Sequence, residues 1–575
     1  MQRRRTSLAV GLTAIVGLAA GTAGAANVSA KKAQDPAAAA STTTPIKHLV
    51  VIFQENISFD HYFGTYPNAA NPVGEPGFTA KKGTPTVNGL TAGLLTNNPN
   101  LSNPARLDRS QAHTCDQGHG YTQEQKAEDF GAMDKFVQNT NRQGGGHPLT
   151  LGECLGTTPT PGNFPVMDYY DGNTVTALWN YAQRFAMSDN SWDTGFGPST
   201  PGAMEVVSGQ TFGVVCSRPG ASFAILNSPA NCPAAPAGTT PANPGVVQQP
   251  PANAGTTFSD SDPYYDICST DSITSVQGGQ NVGDELNSAG LTWGFFTGGF
   301  AAPGYVPGNP ASDNLSGGHA GAECTAGHIG IGNTSVQADY IPHHEPFQYY
   351  QSTANPLHLP PLSIANIGRQ DQANHQYDLA DFNAAVDNNN MPSVSYLKAP
   401  AFQDGHGGYS DPLDEQTFLV NTLNHLQKSP EWKSTAVVIA YDDSDGWYDH
   451  VPPTILFQSQ SSIDVPGFCG GASATIPVGF GGQQEQGRCG YSQRLPLLVI
   501  SPFSKQNFVD GTTTDQSSVV RFIEDNWLQS ERIGNGSADA LAGSIENMLD
   551  FHKTSKSILI LDPSTGLLAK GGKKH

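Results

Sequence analysis

Short apolar runs recur along this chain, each bounded by polar or turn-forming residues. Leu49–Phe53, Leu291–Phe296, Ser393–Leu397, Ala436–Tyr441 and Leu497–Ile500 are rich in Val, Ile, Leu and aromatic residues. Continuous runs of this length predict strands buried on both faces, as in a parallel sheet. Helical spacing separates them. Val175, Leu178, Trp179, Ala182 and Phe185 form one stripe, in a helix that Asn173 is placed to cap and that ends near Ser188. Asp411-Pro412 opens a second helix with Leu419, Leu423 and Leu426 inward, and a third runs from about Asp515 to Leu528. Strands alternating with helices predict an α/β fold around a mostly parallel sheet, and there is no internal repeat.

Two of the strand ends carry oxygen ligands. Phe53 is followed by Gln54-Glu55-Asn56-Ile57-Ser58-Phe59-Asp60-His61, and Tyr441 by Asp442-Asp443-Ser444-Asp445-Gly446. Ligands of open α/β sheets collect beyond the carboxyl ends of the strands, so adjacent strands would bring Glu55, Asn56, Asp442 and Asp443 into one pocket. Oxygen-only ligation suits a hard divalent ion such as Ca, Mg or Mn. Taken singly, Glu55-Asn56 also fits a helix cap, and the acidic stretch also fits a calcium loop.

The nucleophile candidate is Ser199, within the Gly/Pro-rich turn Trp192–Gly202. A divalent ion would lower its hydroxyl pKa and hold it near a substrate, whereas Ser beside Pro is otherwise an ordinary turn residue. His119, His343-His344, His406 and His450 offer imidazoles that could bind phosphate oxygens and protonate a leaving group. No Gly-x-Ser-x-Gly elbow is present, which disfavours a serine esterase.

Charge and cysteine content narrow the setting. Fifty acidic against 29 basic residues give a net charge of -21, which argues against nucleic acid as a partner. Arg3-Arg4-Arg5, the weakly apolar stretch Leu8–Ala20 and Ala23-Gly24-Ala25 predict a signal peptide over 1–26, of Sec or twin-arginine type. Residues 27–45 read as a linker, and 46–575 as one domain with insertions at about 67–165 and 210–290, the latter including the low-complexity stretch Pro219–Gly255. The mature chain is expected in the periplasm or outside the cell, without a transmembrane anchor. Eight cysteines without a close Cys-x-x-Cys pair predict disulfides, expected in sequential order: Cys115–Cys154, Cys216–Cys232, Cys268–Cys324 and Cys469–Cys489.

Three blocks carry a resemblance. Glu55–Gly64, Gly197–Pro201 and Tyr441–His450 look like the bacterial phosphoesterase family of phospholipases C and acid phosphatase A, within the alkaline phosphatase superfamily; the acid phosphatase A branch is the closer in length. The resemblance implies an alkaline phosphatase-like sheet flanked by helices, with a cap built from the long disulfide-bearing insertions. It implies metal ligation by Glu55, Asn56, Ser199, Asp442 and Asp443, with Ser199 as nucleophile and His119, His344 and His406 facing substrate; neighbouring His343 is the alternative to His344. Ile57, where Arg is usual, and Gly202, where Asn is usual, depart from the pattern. The implied reaction is hydrolysis of phosphate monoesters through a phosphoserine, with phospholipase C action on phosphatidylcholine-like diesters as the alternative. Substrates would be small phosphate esters or phospholipid head groups. From the residues alone, a secreted binding protein with a structural calcium ion stays open.

Overall fold

The computed structural model describes residues 37–141, 164–233, 243–270, 272–312, 323–331, 336–553 and 558–570. The expected signal peptide, the first part of the expected linker, Cys154 and the middle of the low-complexity stretch lie outside these residues. Eight strands make the central sheet: β1 (His48–Gln54), β2 (Ala186–Ser188), β3 (Trp293–Thr297), β4 (Gln376–Asp378), β5 (Val394–Lys398), β6 (Thr435–Tyr441), β7 (Leu497–Ile500) and β8 (Phe508–Asp510). Their order is β4-β3-β5-β1-β6-β7-β2-β8. All run in one direction except β7, which is antiparallel to both neighbours.

The apolar runs became strands because both faces of the sheet are covered. Successive residues of β1 point to opposite sides. Val50 and Ile52 pack with Trp179 of α2 (Thr176–Arg184) and Leu419 and Leu423 of α4 (Pro412–Leu426). Leu49, Val51 and Phe53 pack with Val206 of α3 (Ser199–Ser208) and Ile523 of α5 (Ser518–Trp527). One further short helix, α1 (Phe59–Phe63), follows β1 directly. Asp411 caps α4 as expected, accepting from the amides of Leu413 and Asp414.

Several expectations need correction. Asn173 does not cap α2, whose N-cap position is Val175. Its side chain is used instead to hold the start of the preceding insertion, accepting from Asn71 N at 2.8 Å and donating to Pro76 O at 2.8 Å. The helix stops at Arg184 rather than near Ser188, because Ala186–Ser188 leaves it to become β2. The third helix begins at Ser518. Ordered packing starts ahead of Ile46: Thr43 N donates to Asn526 O at 3.0 Å, and Thr44 Oγ1 donates to Asn526 Oδ1 at 2.8 Å.

Outside the central sheet, Phe212–Ser217, Ile225–Leu226, Gly255–Thr257, Asp262–Pro263 and Thr274–Gln277 form a smaller five-stranded sheet. Disulfides join Cys216 to Cys232, Cys268 to Cys324 and Cys469 to Cys489, which are the sequential pairs, and Cys115 is also disulfide-bonded. Among the described residues, no helix is long and apolar enough to cross a membrane.

Trp179 locks α2 to the segment after β1. It is fully buried, its ring lies 5.2 Å from Tyr66 and 5.1 Å from Phe78, and its Nε1 donates to Tyr62 O at 2.9 Å. Trp179→Ala is expected to cost ~3–5 kcal/mol in a denaturant titration. A loss under about 1 kcal/mol, the range of an ordinary surface change, would contradict this packing.

Candidate functional site

The register of β1 against β6 sets the site. Gln54 pairs with Tyr441, so both strands end level and the next residues, Glu55 and Asp442, leave the sheet side by side. Asp442 Oδ1 then accepts from the amides of Asn56 and Asp443, both at 2.8 Å, tying the two loops together. Asn56 sits at φ 57°, a left-handed conformation that Asn tolerates better than most residues, and this turns the chain back toward α1. Ser58 caps α1, accepting from His61 N at 3.4 Å.

Ser199 is the first residue of α3, which packs on the Leu49, Val51 and Phe53 side of β1. Its Oγ lies 3.0 Å from Glu55 Oε2, 3.3 Å from Asn56 Oδ1 and 3.2 Å from Asp443 Oδ2. Two glycines permit the approach. Gly197 adopts φ 124°, and its amide donates to Glu124 Oε2 at 3.0 Å. A Cβ on Gly202 would overlap the carbonyl oxygen of Asp442, so the small residue at this position of the block answers to the close packing of α3 on the end of β6. Ile57, the other departure from the pattern, packs into the apolar core.

The structure therefore brings Glu55, Asn56, Ser199, Asp442 and Asp443 together, all buried. Burial, and after it the charge of Asp442, pushes the carboxyl groups of Glu55 and Asp443 well above the usual carboxylate range. Asp442 Oδ2 is buried without a hydrogen-bond donor. Crowded, desolvated carboxylates of this kind stay ionised only beside a cation. The donor set fits a hard divalent ion.

The histidines divide. His344 Nδ1 lies 3.4 Å from Glu55 Oε1, whereas neighbouring His343 turns toward Asp262 Oδ1 at 3.6 Å. Burial, reinforced by Lys398, holds His344 well below the usual imidazole pKa, so it is neutral. His119 Nδ1 is 3.0 Å from Asp445 Oδ1; burial opposes its charge, but Asp443 and Asp445 outweigh burial and raise its pKa well above the usual value. His406 stacks on Tyr409 with ring centroids 4.1 Å apart and lies 6.2 Å from the His119 ring. His450 belongs elsewhere, 2.6 Å from Asp60 Oδ2 in a buried network with Arg494 and Asp449.

Three participants were not singled out from sequence. Lys398 ends β5, is 1% exposed, and its ammonium contacts Glu55 Oε1. Burial opposes its charge, but Glu55, Asp442 and Asp404 prevail and raise its pKa. Asp404 accepts from His406 N at 3.1 Å, and its own backbone carbonyl accepts from Glu55 N at 3.0 Å. Asp445 accepts from Gln117 N at 3.1 Å, holding the His119 loop against the β6 loop. A lysine closing an otherwise apolar run was the available signal for the first of these.

A pH dependence follows. In metal-free protein Glu55 and Asp443 bind protons more tightly when folded than when unfolded, so their contribution to stability is fully present at acid pH and is lost as pH rises above the ordinary carboxylate values of about 4. Melting temperature measured from pH 4 to 8 with chelator is expected to decline, and added divalent ion to restore it most strongly at the upper end. A metal-free curve that rises with pH would contradict the raised carboxyl pKa values.

Comparison with known proteins agrees with the block pattern. Residues 46–528 match the profile of the Phosphoesterase family. The chain is 31% identical over 169 residues to the non-hemolytic phospholipase C of Pseudomonas aeruginosa, covering 28% of this chain and 24% of that protein. It is 33% identical over 145 residues to the non-hemolytic phospholipase C of Burkholderia pseudomallei, covering 24% and 19%, and 32% identical over 152 residues to phospholipase C A of Mycobacterium tuberculosis, covering 25% and 26%. The matches thus span about a quarter of these relatives. With a family profile that runs through nearly the whole ordered chain and contains both strand-end blocks and the Ser199 turn, this protein belongs to the phosphoesterase family.

Proposed function

We propose that this protein is an exported, metal-dependent phosphoesterase that hydrolyses phosphate monoesters through a phosphoserine at Ser199, on an alkaline phosphatase-like fold. The observation that carries the reading is the position of Ser199 Oγ, 3.0–3.3 Å from side-chain oxygens of Glu55, Asn56 and Asp443 at the start of a ten-residue helix. A divalent ion held by Glu55, Asn56, Ser199, Asp442 and Asp443 would acidify the hydroxyl and offset phosphate charge. The disulfides support an oxidising compartment, periplasmic or extracellular.

The residues supply the remaining chemistry. Glu55 Oε2 and Asp443 Oδ2 orient the Ser199 hydroxyl, and the amino end of α3 favours the incoming anion. Ser199 Oγ gives its proton to the Glu55 carboxylate 3.0 Å away and bonds to phosphorus as the ester oxygen departs in line, taking a proton from cationic His119. Neutral His344 then takes a proton from the water that cleaves the phosphoserine, phosphate leaves, and Glu55 returns its proton to Ser199 Oγ. His406 binds a non-bridging oxygen.

Access supports a broad monoesterase. Ser199 is 3% exposed, whereas the His119 and Asp116 side chains on the rim are 14% and 31% exposed, so the phosphoryl end enters and the leaving group stays outside. The relatives, phospholipases C, favour a second reading, phospholipase C action on phosphatidylcholine-like diesters. Membership of a hydrolase family and the converged histidines speak against a calcium-stabilised binding protein.

Ser199→Ala is expected to lower turnover by about 10³-fold or more with an unchanged circular dichroism spectrum. Near-normal activity would remove Ser199 as nucleophile. On one wild-type preparation, p-nitrophenyl phosphate is expected to give at least about tenfold higher kcat/KM than p-nitrophenyl phosphorylcholine; the reverse ratio would select the phospholipase reading.

A further inference from the structure

Glu55 faces two ways. Its Oε2 lies 3.0 Å from Ser199 Oγ, while Oε1 meets the Lys398 ammonium and lies 3.4 Å from His344 Nδ1. On the Oε1 side, Glu55, His344 and Asp404 offer ligand atoms within 4.8 Å of one another, all buried. Two carboxylates and an imidazole are a donor set suited to a divalent ion. Hydrolytic sites with two ions place them about 3.5–4 Å apart. A carboxylate presenting one oxygen to each side is the geometry such a pair would share.

We infer that the ammonium of Lys398 stands in the place of a second divalent cation, making this a one-ion centre with a covalently delivered partner charge. The inference rests on the metal-centre reading above. Three features converge on it. Lys398 is placed by the sheet, since Leu397 of β5 pairs with Ile52 of β1 and the next residue reaches the same strand-end junction as Glu55. Its ammonium sits 5.4 Å from the Phe53 ring centroid, and Asp404 and Asp442 face it along with Glu55, so the surroundings are those of a bound cation. Its hold on Oε1 also leaves Oε2 directed at Ser199. Lys398 is therefore a positioning residue: it fixes Glu55 and supplies one positive charge that cannot dissociate, so that only one ion need be acquired from solution.

Manganese is a suitable probe, because ions can be counted per chain and a pair at short distance couples magnetically. Protein stripped with chelator and reloaded with manganese chloride is expected to hold one ion per chain with an uncoupled paramagnetic resonance spectrum. Lys398→Ala frees Glu55, His344 and Asp404 and is expected to take up two ions with a coupled spectrum. Lys398→Arg, which keeps the cation, is expected to return to one. One ion or none in folded Lys398→Ala overturns the inference. So does a coupled pair in the wild type, a result that needs no variant to fold. A wild type that binds no manganese removes the metal-centre reading itself, a failure visible before any substitution is made.

Discussion

Everything at this site depends on buried carboxylates meeting at one hydroxyl: Glu55 Oε2 and Asp443 Oδ2 lie 3.0 and 3.2 Å from Ser199 Oγ, and the charge of Asp442 bears on both. Two like charges at 4 Å repel by ~4 kcal/mol even at an effective dielectric constant of 20. The fold nonetheless enforces the contact, because β1 and β6 are paired along their whole length and end level at Gln54 and Tyr441. Moving either loop away would break the amides of Asn56 and Asp443 from Asp442 Oδ1. The repulsion must therefore be met by positive charge. Lys398 is one built-in source, and a divalent ion at the oxygens around Ser199 is the other that the donor geometry calls for.

That arrangement explains why the surrounding elements take the forms they do. Helix α3 must bring a hydroxyl within hydrogen-bond reach of three crowded side chains, which is possible because Gly202 has no Cβ to strike the Asp442 carbonyl. The turn before it needs the positive φ of Gly197. Around this centre, the contacts come from side chains outside the central sheet: His119 against Asp445, His406 over Tyr409, and His344 beside Glu55.

The sequence was most informative where burial is two-sided. The apolar runs at β1, β3, β5 and β6 could only be interior strands, and ligands beyond adjacent strand ends follow from their parallel pairing. It was least informative where a pattern is too short or carries no sign. β2 has three residues, too few for any periodicity, and was absorbed into the preceding helix. Nothing in Leu497–Ile500 distinguishes the antiparallel β7 from a parallel strand. Asn173 had the chemistry of a cap but lost that role to a tertiary hydrogen bond with Asn71. Lys398 escaped notice because a charge at the end of an apolar run normally marks the point where a strand meets solvent, and only the third dimension puts Glu55 there.

Anomalous diffraction from crystals of manganese-loaded protein tests the central claim most directly. A peak bonded to Glu55, Asn56, Asp442 and Asp443, with Ser199 Oγ at its edge, is the expected result. A peak confined to the neighbouring group of Asp116, His119, His406 and Asp445, whose ligand atoms lie within 4.8 Å of one another, would contradict it. So would loaded crystals with no metal among the strand-end oxygens.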